Sequence, residues 1–411
     1  SPGGINSAGS VFAYSGADGS LIHQWDGTFA DGYFGSYIAG GEDVNADGVP
    51  DVIVGDTHAD FLGENQCGQA FVYSGLTGNV IYSWQGVDSS DYLGRNSTFV
   101  GDVNNDGFTD FAICAPGAAN NYGQVTVYSG NGGGQLLQLI GPGYGDDFGW
   151  CVGGIGDING DGHEDLVVGA PRETVNGVNW AGAAYAYSGA DSSLLHKWVG
   201  TLPYSTFGKE VSAAGDFNQD GVPDILVGQG YHDSNGNGQS GAAFIYSGTS
   251  GSLIQQINGR SSLDYLGLAA CSLGDFDADG YDDVVIANSG DDTNSLTDCG
   301  SVGIYSNRER LPLLEIKDLE AGQYADFVVT GCPQYATVTI GYSLLGPGPI
   351  TTVYGIADLT PPVQVLASLP ASISGEAVFR QLIPGSASGI TFYCQCKVAN
   401  GLSTSVAARI N

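Results

Sequence analysis

Residues 43–51 read DVNADGVPD, and the fold follows from how that stretch is read. The pattern returns as DVNNDGFTD at 102–110, DINGDGHED at 157–165, DFNQDGVPD at 216–224 and DFDADGYDD at 275–283. Each copy places oxygen side chains at loop positions 1, 3, 5 and 9 and a glycine at position 6. A hard cation such as calcium takes six to eight oxygens at about 2.3–2.6 Å. Alternate side chains, the backbone carbonyl of position 7 and a bidentate Asp at position 9 supply that shell. The glycine permits the sharp reversal that a Cβ would resist.

The ligand sets predicted on this reading are five. They are Asp43, Asn45, Asp47, Val49 and Asp51, then Asp102, Asn104, Asp106, Phe108 and Asp110. The third is Asp157, Asn159, Asp161, His163 and Asp165, and the fourth Asp216, Asn218, Asp220, Val222 and Asp224. The fifth is Asp275, Asp277, Asp279, Tyr281 and Asp283. One such loop would be an ordinary acidic turn; five in register are a calcium-loop array. It is not an EF-hand, which needs Glu at position 12 and flanking helices. Position 12 here is Val54, Ile113, Val168, Val227 or Ile286, inside a short apolar strand.

Two further signatures share the period of 55–59 residues. The first is the segment GSVFAYSG at 9–16, repeated as GQAFVYSG, GQVTVYSG, GAAYAYSG, GAAFIYSG and an eroded GSVGIYSN at 300–307. The second precedes each loop: Phe34-Gly35, Leu93-Gly94, Phe148-Gly149, Phe207-Gly208 and Leu266-Gly267. One repeat therefore reads as four strands, the last being LIHQW, VIYSW, LLQLI, LLHKW or LIQQI. Four-stranded sheets repeated around an axis are propeller blades. The expected fold is all-β, a propeller of about six blades, one of them incomplete or shared. The chain opens on the last two strands of a repeat, so one sheet is a partial blade, a seam, or an open edge for another chain.

At this point the chain resembles a known family. Phe-Gly, the D-x-N-x-D-G-x-x-D loop and the strand Val167-Val168-Gly169-Ala170-Pro171 look like the FG-GAP repeat, which builds the propeller of integrin α subunits and of many bacterial surface proteins. The resemblance covers residues 1–307 and implies calcium ligands on one face and a role in adhesion or ligand binding. Gly-Ala-Pro is altered to Gly55-Asp56-Thr57, Gly228-Gln229-Gly230 and Ala287-Asn288-Ser289.

The predicted domains are a propeller over residues 1–309 and a small immunoglobulin-like β-sandwich over 310–411. The second segment shows strands separated by turns such as LLGPGPI. The net charge is −33, with 44 acids against 11 bases. Six acids and five bases lie in 310–411, so the acidity belongs to the propeller. Such a charge argues against nucleic acid and anionic membrane surfaces. No apolar run approaches the ~20 residues of a membrane helix. The chain has no Met, which suits a processed or truncated start. Eight Cys and calcium loops favour an extracellular or cell-surface setting. Cys67–Cys114 and Cys271–Cys299 are plausible bridges, Cys332 could pair with Cys394 or Cys396, and Cys151 could be free.

No residue constellation points to catalysis. His23 and His196 hold one position in the fourth strand, and Trp25, Trp84 and Trp198 end that strand, which fits blade packing. There is no G-x-S-x-G elbow. The triplet Asn96-Ser97-Thr98 is a glycosylation sequon expected on a connecting loop. The reading is non-enzymatic: a calcium-loaded surface or matrix component for adhesion or structure, able to self-associate into a filament or layer. A monomeric adhesin or lectin for a surface protein or glycan is the alternative, and a hydrolase the remote one.

Overall fold

A computed structural model describes residues 7–233, 238–278, 280–290 and 300–307, together with the backbone of ten strands beyond them. Asp279 and Cys299 lie outside the described residues. The chain divides into two compact units, Ser1–Asn307 and Arg308–Asn411.

The first unit is built of antiparallel sheets in strict sequence order. β1 (Ser10–Tyr14) and β2 (Leu21–Asp26) form a two-stranded sheet. The first complete sheet is β3 (Tyr37–Gly40), β4 (Val52–Asp56), β5 (Gln69–Tyr73) and β6 (Val80–Gln85). The second is β7 (Ser97–Gly101), β8 (Asp110–Ala115), β9 (Gln124–Tyr128) and β10 (Gln135–Ile140). The third is β11 (Val152–Gly156), β12 (Asp165–Ala170), β13 (Ala183–Tyr187) and β14 (Leu194–Val199). The fourth is β15 (Glu210–Gly215), β16 (Asp224–Gln229), β17 (Ala242–Tyr246) and β18 (Leu253–Asn258). β19 (Ala270–Gly274), β20 (Asp283–Asn288) and β21 (Ser301–Tyr305) make a three-stranded sheet. The described residues of this unit thus hold four complete blades, a two-stranded sheet before them and a three-stranded sheet after them.

First strands of successive blades lie side by side, β3 against β7, β7 against β11, β11 against β15 and β15 against β19. The second strand of each complete blade is buried almost throughout because it has a strand on each edge and a blade on each face. That is why these segments read as continuous apolar runs rather than alternating ones. The core lies between blades. Val44, Ile53, Ala70 and Val72 of one blade close on Phe111 and Ile113 of the next. Ala214, Phe217, Ala243 and Ile245 do the same against Val284 and Ile286. Each buried Phe or Ile contributes about 1.5–3 kcal/mol, so blade stacking dominates stability.

The glycine signatures have a steric cause. Gly208 has φ +81°, and its carbonyl lies where a Cβ on Gly169 of the preceding blade would stand. Gly94 meets Gly55, and Gly267 meets Gly228, in the same way. The glycine after Phe or Leu also closes its own blade, Gly208 N donating to Gly228 O at 3.1 Å. The aromatic partner, Phe34, Phe148 or Phe207, is buried beneath it.

The fourth-strand residues act between blades. His23 Nε2 lies 2.8 Å from Gly75 O, and His196 Nε2 2.8 Å from Gly248 O. Trp25 and Trp198 donate their indole N–H to Gly78 O and Gly251 O at 2.8 Å. These contacts span one repeat, so the expected packing role holds.

Two expectations fail. Cys67 and Cys114 are separate buried free thiols, Cys67 Sγ turning to Ala59 O at 3.5 Å, and no bridge joins them. Cys151 is buried and free, and Cys271 is a free exposed thiol on β19. Asn96 is not on an exposed loop. It is buried at the entry to β7, with Oδ1 accepting from Val152 N at 3.3 Å, so glycosylation there would break the blade junction.

In the second unit the backbone forms β22 (Leu313–Lys317), β23 (Tyr324–Thr330), β24 (Thr337–Ser343), β25 (Pro347–Thr352) and β26 (Gly355–Leu359). These are followed by β27 (Gln364–Pro370), β28 (Ala377–Leu382), β29 (Thr391–Val398), β30 (Gly401–Leu402) and β31 (Val406–Arg409). The sheets run β22-β23-β28 and β27-β24-β29-β30, with β31 on β29. β25 pairs β26 where the sequence suggested a turn. The side chains of Cys332, Cys394 and Cys396 lie outside the described residues.

Candidate cation loops and an opposing cleft

Strand alternation places the connections at two opposite ends of the blades. The acidic loops join the first strand of each blade to the second. The second-to-third and fourth-to-first connections therefore emerge at the opposite end.

In the first loop, carboxylate oxygens of Asp43, Asp47 and Asp51 lie within 4.8 Å of one another. Asp275, Asp277 and Asp283 converge equally in the fifth. Two ligands of one calcium at about 2.4 Å can be no more than about 4.8 Å apart, so both sets fit the ion. In the middle three loops the Asn amide turns onto the position-5 carboxylate instead. Asn104 donates to Asp106 at 3.1 Å, Asn159 to Asp161 at 2.8 Å and Asn218 to Asp220 at 3.0 Å. Position 1 organises the turn, Asp43 accepting from Asp47 N at 3.2 Å and Gly48 N at 2.7 Å.

Position 9 has a second role that its spacing did not reveal. Asp165 is fully buried, and its two oxygens accept from Ile158 N at 2.9 Å and Gly189 N at 3.0 Å. Asp51, Asp110 and Asp224 repeat this, each tying its loop to the Tyr-Ser-Gly turn. Burial pushes these carboxyls up, Asp110 and Asp165 to about 6 and Asp224 to about 7, against the pull of the backbone N–H groups. Neighbouring loop carboxylates add to the rise. A divalent cation would remove that repulsion and favour the charged form. His163, at position 7 of the third loop, sends Nδ1 to Val103 O of the preceding blade at 2.7 Å.

The opposite face carries a cleft of about 650 Å³. Tyr33, His58 and Tyr92 form one wall as an edge-to-face row with centroids 5.0 and 5.5 Å apart. Burial, and then the nearby Arg95, keep the His58 imidazole below its usual range, which favours its neutral form. Arg95 stacks over Trp150 at 4.0 Å and lies 5.0 Å from the Tyr37 ring. Arg172 pairs with Asp147 at 3.1 Å on the far side, beside Trp180. Lys209 stands over Tyr231 at 4.4 Å in an adjoining pocket.

The chain has six bases before residue 310, and three of them gather here. Arg172 has its carboxylate. Arg95 and Lys209 have none among the described residues, in a molecule dominated by acids. The sequence hid this cleft because its residues come from connections of different blades. The scarcity of bases was the one signal available.

Comparison with known proteins agrees with the repeat pattern. The FG-GAP repeat model matches residues 151–187 and 207–246, and an FG-GAP-like repeat model matches 102–168. Integrin alpha-5 of Xenopus laevis is 31% identical over 212 residues, covering 48% of this chain and 20% of the relative. Integrin alpha-V of Gallus gallus is 29% identical over 218 residues, covering 49% and 20%. Integrin alpha-6 of Gallus gallus is 30% identical over 239 residues, covering 54% and 20%. The chain spans about a fifth of the length of these relatives. A solved structure, described as the Dos1 propeller, aligns with TM-score 0.42 and 9% identity over 73% of this chain and 62% of that one. No helix among the described residues is long and apolar enough to cross a membrane. With its recurring loops, glycine contacts and blade order, the N-terminal unit of this chain is an FG-GAP repeat β-propeller.

Proposed function

We propose that this chain is a non-enzymatic, calcium-loaded propeller that serves attachment at the cell surface or in the extracellular matrix. The observation that carries the calcium part is the convergence of three carboxylates in the first and fifth loops. The five predicted ligand sets supply about five sites, and the ions offset charge that otherwise strains the acidic face. The similarity to integrin α chains supports the adhesive part. Titration calorimetry of calcium into chelator-stripped protein, with thermal melts alongside, tests this. Saturable binding to several sites and a calcium-dependent rise in melting temperature are expected, with one site fewer in Asp47→Asn. Absence of binding heat with an unchanged melt refutes it.

The cleft favours a ligand-binding adhesin reading alongside the structural one. An arginine held over Trp150, with no carboxylate partner among the described residues, is suited to a carboxylate carried by a surface glycan or protein. The aromatic row offers sugar or side-chain stacking. Binding screens with acidic polysaccharides and matrix proteins, repeated with Arg95→Gln, test it. A ligand whose affinity ignores Arg95 and Trp150 would place recognition elsewhere.

A further inference from the structure

The repeat makes its own ends legible. Within the first unit, positions 2 and 4 of each third strand face the following blade. Ala70 and Val72, Val125 and Val127, Ala184 and Ala186, and Ala243 and Ile245 are all buried there. In the last blade the same positions are Val302 and Ile304, exposed by 68% and 41%. The residue after the first loop Asp behaves alike: Val44, Val103, Ile158 and Phe217 are buried, and Phe276 is 65% exposed. At the other end, positions 3 and 5 of the third strand face the preceding blade. Tyr73 and Phe244 are buried in that role, while Phe12 and Tyr14 of β1 are 46% and 61% exposed.

These two uncovered faces are not alike; they are opposite halves of one interface. That interface is already formed inside the chain, where Val11 and Ala13 pack on Phe71 and Tyr73. Ala184 and Ala186 pack on Phe244 and Tyr246 in the same manner. Both halves stand exposed, uncovered by the described residues. We infer that a second copy of this chain covers them, the Val302–Ile304 face of one copy docking on the Phe12–Tyr14 face of the next. This gives a head-to-tail contact of the heterologous kind, which continues into a ring or a filament according to its rotation. The inference deepens the structural reading of the protein and stands apart from calcium affinity.

The experiment is sedimentation velocity of the full chain in calcium over a concentration series, with Phe12→Asp and Val302→Asp, both outside the acidic loops. Both side chains are exposed in the single chain, so each variant should fold, with an unchanged circular dichroism spectrum. Wild type is expected to form dimers and larger species as concentration rises. Each variant alone should be monomeric, its association weakened at least about 30-fold, as for loss of a central apolar contact worth about 2 kcal/mol. An equimolar mixture of the two variants keeps one intact pair of faces and should give 1:1 dimers and nothing larger. A wild type that stays monomeric at every loading overturns the inference, and shows that other chain segments cover these faces. Association that survives both substitutions also overturns it. Calcium titration of the same samples keeps the two readings separate: a calcium-binding monomer sinks this inference and leaves the proposed function standing.

Discussion

Asp56 offers the sharpest test of how this propeller balances burial against charge. It ends β4 at the position that Ala115 and Ala170 hold in the next two blades. It is buried, and its Oδ1 has no hydrogen-bond partner among the described residues. Burial alone raises its carboxyl from 3.8 to about 7. The folded state therefore holds a proton that the unfolded state gives up near pH 4. The associated stability is fully present below about pH 4 and is lost as pH rises through about 7. A rise of about three units corresponds to at most about 4 kcal/mol at 1.36 kcal/mol per unit. Local relaxation reduces this, so Asp56→Ala should stabilise the protein by about 2–3 kcal/mol near pH 8. Near pH 4 the two proteins should match or the variant should be slightly weaker. Urea unfolding of both proteins at each pH, compared as differences, removes the shared effect of acid on the acidic loops. An equal difference at both pH values would refute the assignment of a buried, uncompensated carboxyl.

Asp165→Ala should cost about 2–4 kcal/mol in urea unfolding even under chelation, because Ile158 N and Gly189 N lose their acceptor. A cost seen only in calcium would mean the residue acts solely as a ligand. Gly208→Ala should lower stability by more than about 3 kcal/mol, whereas Gly177→Ala, at a similar φ with open space around it, should cost about 1 kcal/mol; thermal melts decide. Of the four described cysteines only Cys271 should react with a thiol reagent in native protein, since burial closes access to Cys67, Cys114 and Cys151. Rapid labelling of Cys114 would contradict the blade packing.

Most of the blade was legible in the sequence because its causes are local and recur. A loop needs its oxygens at alternate positions, the strand after it is apolar because both its faces are covered, and Gly208 must be glycine because a neighbouring carbonyl occupies the space of its Cβ. A repeat states each of these several times over. Near-identical spacing also fixed the inter-blade roles of His23, His196, Trp25 and Trp198. What the tertiary structure alone decided depends on residues far apart in the chain. Asn96 resembles a surface sequon until a neighbouring blade buries it against Val152. Cys67 and Cys114 are near enough in sequence to suggest a bridge, yet each is sealed separately in the packing. The position-9 Asp reads as a ligand, and only the fold sets the N–H groups of Ile158 and Gly189 against Asp165. The cleft gathers Arg95, Trp150 and Arg172 from connections of different blades, which no local pattern encodes. By itself the sequence determined the repeated blade and its acidic loops, since each copy carries its own short-range constraints. Only the tertiary structure decided the cleft and the two uncovered faces, since both arise from how blades meet.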